Sequence, residues 1–70
     1  MAKNKGDRVE WDWGRGTASG KVVETFQREV KRTLQGSEIK RNGSKDDPAL
    51  LIRQEDGGEV LKLASEVRAT

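Results

Sequence analysis

Two adjacent carboxylates, Asp46 and Asp47, stand immediately before Pro48. A pair of acids can help hold a divalent cation or divide acid and base roles. Here no third oxygen ligand follows at calcium-loop spacing, and the same pair suits an Asx turn that opens a strand. Gly14-x-Gly16-x-x-x-Gly20 has the outline of a phosphate-cradling loop. A dinucleotide fingerprint needs tighter spacing and a following helix, so turn and bulge geometry is the simpler reading. The chain has no histidine and no cysteine. That removes the commonest general base and metal ligand, and excludes zinc-thiolate sites and disulfides. No serine, threonine or lysine sits in a motif that marks an activated nucleophile. The residues argue against an enzyme and imply neither a cofactor nor a metal.

Two other groups suit binding. Trp11 and Trp13 are the largest apolar side chains. Both fit a small core, but Trp13 adjoins Gly14-Arg15-Gly16 and can equally lie at a rim, offering a stacking face. With Arg15 and Phe26 it forms a candidate contact for a protein or peptide segment. Arg28, Lys31, Arg32, Lys40 and Arg41 are the densest bases. If residues 30–41 fold back as a hairpin, these could gather on one face and bind nucleic acid beside an aromatic. Glu24, Glu29 and Glu38 allow the alternative of a balanced, solvated surface.

Composition limits what can position these groups. Seventy residues with 31% hydrophobic and 37% charged content make one domain with a thin core. Net charge is only +2, modest for a nucleic-acid binder. It is unevenly placed: residues 1–45 hold eleven bases and six acids, whereas residues 46–70 hold three bases and six acids. The longest apolar run, Ala49-Leu50-Leu51-Ile52, is too short to span a membrane. A cytoplasmic monomer, bacterial in style, is the expected setting.

The elements follow from periodicity. Arg8–Trp13 alternates, with Val9, Trp11 and Trp13 on one face, and reads as a strand. Residues 17–34 admit two readings. Val23, Phe26, Val30 and Leu34 fit an amphipathic helix; Val22-Glu24-Phe26 and Val30-Arg32-Leu34 fit two strands around a turn near Gln27–Glu29. Ser37–Arg41 is a short extended piece, and residues 42–48 are dense in loop formers. Leu50–Gln54 and Val60–Leu63 are strands joined by Asp56-Gly57-Gly58, a hairpin signal. Ala64–Val67 reads as one helical turn that tucks in Val67. Gly14, Gly16 and Gly57 are expected at positive φ.

Gly6-Asp7-Arg8-Val9-x-Trp11-x-Trp13-Gly14-x-Gly16 with Gly20-x-Val22 resembles the opening of the hypervirulence-associated Tudor-like domain family. Thr33–Ile39, the Asp46-Asp47-Pro48-Ala49 loop and Asp56–Lys62 with Ser65-Glu66 also fit. The resemblance implies an all-β fold: a small five-stranded SH3-like (Tudor-like) barrel with a short helical turn near the C-terminus. It favours strands over helix for residues 20–34. The expected division is a flexible N-terminus over 1–5, the barrel over 6–67 and a flexible C-terminus over 68–70. The resemblance supplies no functional residues. Better-known Tudor domains bind methylated side chains in an aromatic cage; this chain departs from them, with three aromatics and no tyrosine. The expected function is a non-catalytic interaction module for a protein or peptide at the barrel rim. The alternative is weak nucleic-acid binding through the basic hairpin.

Overall fold

Large residues of the first strand lie over small ones of the second. In the computed structural model, which describes residues 4–34 and 36–70, β1 (Arg8–Trp13) pairs antiparallel with β2 (Gly16–Phe26). The register sets Val9 against Gly20, Trp11 against Ala18 and Trp13 against Gly16. A side chain at Gly20 has no room: a β-carbon there would sit 2.6 Å from the Arg53 carbonyl oxygen and 2.7 Å from Ile52 Cγ2. The absence of a side chain thus lets β1, β2 and the strand holding Ile52 close over one another.

Five more strands follow: β3 (Glu29–Leu34), β4 (Ser37–Asn42), β5 (Ala49–Gln54), β6 (Glu59–Leu63) and β7 (Arg68–Ala69). A single 3-10 turn, Ala64–Glu66, precedes β7. The strands form a five-stranded sheet in the order β6-β5-β2-β1-β7, and a separate hairpin, β3-β4. Residues 20–26 and 29–34 are strands around a bend at Gln27 and Arg28, so the helical alternative is set aside. The fold is all-β, but with seven strands in two sheets instead of five in one barrel. The extended piece at 37–41 is a full strand paired along its length with β3. Residues 68–70, expected as a tail, instead add a sheet edge: Glu10 pairs with Arg68, and the Thr70 amide donates to the Arg8 carbonyl oxygen. Arg68 holds this edge by bonding Glu10 at 3.3 Å and Asp12 at 2.9 Å. The expected N-terminal tail lies partly outside the described residues; its Asn4 is engaged in a turn, donating to the Asp7 carboxylate.

The Ala49–Ile52 run serves two cores. Leu50 and Ile52 point into one cluster with Val9, Trp11, Val22 and Val67. Ala49 packs in a second cluster with Val30 and Leu61, against which Leu51, Phe26 and Ile39 also pack. Period-two alternation makes this unavoidable for a four-residue apolar run, and it marks an interior strand with both faces covered. The β3-β4 hairpin covers the second face at its Ala49 end, and Arg53 at the other end of the strand is exposed. No backbone ladder joins β4 to β6; between them runs a groove of about 250 Å³ lined by Ile39, Arg41, Val60 and Leu61 among others.

The register between β2 and β5 slips between Val22 and Glu24. Before the slip, Lys21 faces Arg53; after it, Glu24 faces Leu51 and Phe26 faces Ala49. Ala49, Leu51 and Arg53 alternate along β5 and so share a face. The bulge at Val23 therefore brings Lys21, Glu24 and Phe26 to that same face, although an odd separation would otherwise put Lys21 and Phe26 on opposite sides.

Candidate binding surfaces

Trp13 ends β1, where the core has run out. Its neighbour across the ladder is Gly16, and 63% of the residue is exposed, whereas Trp11 two positions earlier is only 4% exposed. Gly14 at φ 49° and Arg15 form the two-residue hairpin loop beyond it. A left-handed residue at the first loop position fits the twist of the flanking strands. Gly57 also adopts positive φ, as expected; Gly16 does not, because it begins β2, and Gly6 does at 96°. The tip is an exposed indole beside an exposed guanidinium. Its other side is neutralised: Arg68 bonds Asp12, and that contact holds the Asp12 carboxyl below its ordinary range.

Phe26 is the last residue of β2, so the full length of an 11-residue strand separates it from Gly16 and the Trp13 tip. The structure thus does not bring Trp13, Arg15 and Phe26 together. Phe26 instead gathers cations: the guanidinium carbons of Arg28 and Arg32 lie 5.3 and 5.1 Å from its ring centroid. Both distances are within cation–π range. The corner holding them is set by Gly43, whose amide donates to the Arg28 carbonyl oxygen at 3.0 Å. A β-carbon at Gly43 would overlap the Phe26 carbonyl oxygen and come within 2.6 Å of the Ala49 nitrogen.

Four of the five bases proposed for a hairpin face divide between two, and the fifth, Arg28, lies in the bend before β3. Val30 faces Arg41 and Arg32 faces Ile39, so Arg32 and Arg41 share the Val30 side. Lys31 faces Lys40 on the opposite side. Lys40 pairs with Glu29 at 3.3 Å and Arg41 with Glu66 at 3.0 Å. Among the described residues, Arg28, Lys31 and Arg32 have no carboxylate partner.

Asp47 is a structural clamp. Its carboxylate accepts from the Ser65 amide and the Ser65 hydroxyl, each at 2.8 Å, while its own amide donates to Ser44 Oγ at 3.1 Å. The loop over 43–48 is thereby stitched to the 3-10 turn. Glu66 adds a second stitch, accepting from the Leu63 amide at 2.7 Å and from Arg41. Burial works to raise the Glu66 carboxyl; the bonds from Leu63 and Arg41, with the Arg41 and Lys62 charges, outweigh it and leave it below its ordinary value. No group of three or more acids among the described residues is placed to hold a metal ion.

A further surface has no counterpart in the sequence reading. Arg8 faces Lys21 and Lys21 faces Arg53, making a row of three cations across β1, β2 and β5. They line a concavity of about 480 Å³, together with Lys5, Val23 and Glu55. Nothing local announces it, because its members are far apart in the chain and only the register aligns them.

The five-stranded sheet with the β3-β4 hairpin packed against it is an all-β arrangement that fits a small Tudor-like domain. The three aromatics fall at three separate places, so they form no aromatic cage. The chain belongs to the family described as hypervirulence associated proteins TUDOR domain, whose family model matches residues 6–67. Tudor-like domains are generally non-catalytic binding modules. No curated protein and no solved structure matches the chain. No helix among the described residues is long and apolar enough to cross a membrane.

Proposed function

We propose that the chain is a non-catalytic interaction module that takes a protein or peptide segment at the β1-β2 hairpin tip. The observation that carries this is the 63% exposure of Trp13, whereas the other large apolar side chains among the described residues are buried or half-buried. Tryptophan and arginine are among the residue types that dominate binding energy at protein interfaces, and Arg15 stands two positions after Trp13 in the same hairpin tip. The expected contact included Phe26; its position at the far end of β2 favours a tip formed by Trp13 and Arg15 alone. On this reading the module acts as a cytoplasmic monomer. Placing a photo-crosslinking residue at Gly16, opposite Trp13 and with open space for a side chain, tests it in cells. A discrete protein adduct from position 16, absent when the crosslinker is placed at Lys45, supports the tip; equal adducts from both positions refute it.

A second reading, weak nucleic-acid binding, is favoured by one observation. Arg28 and Arg32 are held at the Phe26 ring without a carboxylate among the described residues to neutralise them. Guanidinium planes and aromatic rings both accept stacked bases.

A further inference from the structure

Like charges directly opposite one another on a sheet are destabilising. The Arg8-Lys21-Arg53 row nevertheless places three across adjacent strands, whose spacing is about 4.8 Å. The outer two are each balanced by one acid: Arg8 by Glu55 at 2.7 Å and Arg53 by Glu59 at 3.2 Å. Lys21, in the centre, has no ion pair among the described residues, nor does Lys5 at the edge of the concavity. An anion entering this concavity would relieve the repulsion and meet donors from both arginines.

The concavity and the Phe26 cluster share one face of β2, with the exposed Glu24 between them. Because of the bulge at Val23, Lys21 and Phe26 lie on one face of β2, about 15 Å apart along the strand. One end of this face offers phosphate-binding charge and the other offers a ring carrying two guanidiniums. We infer that the face from the Arg8-Lys21-Arg53 row to Phe26, Arg28 and Arg32 is a path for single-stranded nucleic acid. The backbone crosses the cationic row, and bases stack at the arginine-bearing ring. This rests on the nucleic-acid reading above and names its surface. An acidic peptide would satisfy the charges but would leave the stacking end unused. Glu24 lies on the same face between the two ends, opposite Leu51, and is exposed. It is a carboxylate in the way of the phosphates, so its charge weakens binding.

The test is fluorescence anisotropy of labelled decathymidylate and decauridylate with the full chain across a salt series. Lys21→Gln is expected to weaken binding and to flatten the salt dependence by about 0.7 in log–log slope, the amount for one single-strand phosphate contact. Glu24→Gln is expected to strengthen binding, and Arg28→Gln with Arg32→Gln to weaken it roughly fivefold or more. Lys21 and Glu24 make no ion pair among the described residues; Lys21→Gln relieves the repulsion along the row and is expected to melt at or above the wild type, and Glu24→Gln with it, so weakened binding by Lys21→Gln is not a loss of fold. Binding that responds to the arginine changes but not to Lys21→Gln or Glu24→Gln overturns the path and leaves the nucleic-acid reading standing. No binding by the wild type at low salt overturns both. Equal binding of polyglutamate with the same variant profile shows a general anion surface and also overturns the path.

Discussion

Asp47 and Ser65 are joined twice: the carboxylate accepts from the serine amide and from its hydroxyl, each at 2.8 Å. That bond pair ties the loop before β5 to the 3-10 turn after β6, so an acid that invites a metal reading serves the fold. Asp47→Ala is expected to cost about 1–2 kcal/mol, as for a lost helix cap bonded to a charged group, measured by urea unfolding. Magnesium, calcium and zinc are expected to leave the melting temperature unchanged, because a tight ligand of the native state must raise it. Saturable stabilisation at micromolar metal would instead make Asp46 and Asp47 a cation site.

Glycine replacement separates two kinds of site. At Gly20 and Gly43 a β-carbon collides with backbone, whereas nothing lies within 4 Å of one at Gly16. Gly20→Ala and Gly43→Ala are each expected to destabilise by about 1–3 kcal/mol, the range for forced overpacking. Gly16→Ala is expected to change stability by about 0.5 kcal/mol or less. Equal chemical-denaturation midpoints for all three variants would contradict the packing described.

The acid limb of stability carries the mark of Glu66. Its carboxyl sits below the ordinary value of 4.5 in the folded chain. A group depressed on folding stabilises above its unfolded pKa, and that contribution is lost as pH falls through the folded one. Stability is therefore expected to decline below about pH 4.5, and Glu66→Gln should make the decline shallower. Asp12, depressed chiefly by its hydrogen bond from Arg68, acts in the same direction from an ordinary value of 3.8. An unchanged acid limb in Glu66→Gln, followed by thermal melts from pH 7 to 3, would remove Glu66 from this role.

The two tryptophans should part company. Trp11→Ala is expected to cost about 3–5 kcal/mol, as for other buried aromatics, while Trp13→Ala costs well under 1 kcal/mol. In Trp11→Phe the remaining indole should be quenched freely by acrylamide. A protected Trp13 would mean that the hairpin tip is covered.

Particular residues show what the sequence could and could not reveal. Alternation placed Val9 and Trp11 in the core, and the turn glycines marked the hairpins. Alternation also puts Trp13 on the core face, but it does not tell how far the core extends, so its exposure stayed open until the register set it over Gly16. Leu50 and Ile52 were legible as buried; the second core beneath Ala49 was implied by the unbroken run and not drawn from it. Gly43 read as a loop former, when close approach of backbone is what requires it. The bulge at Val23 had no local signature, and it decides which side Phe26 occupies. The Arg8-Lys21-Arg53 row depends on pairing across three strands, which no window of sequence contains.

A protein partner held at the Trp13 tip must be lost when the indole is removed. Immobilised full-length chain should be exposed to nuclease-treated lysate of its own source in parallel with Trp13→Ala and with the Arg28→Gln, Arg32→Gln double variant, and the bound proteins quantified. A discrete protein is expected to be retained by the wild type and by the double-arginine variant, and depleted at least tenfold by Trp13→Ala, the effect of losing about 1.4 kcal/mol or more at the contact. Equal retention by Trp13→Ala, with folding confirmed by circular dichroism, would contradict it.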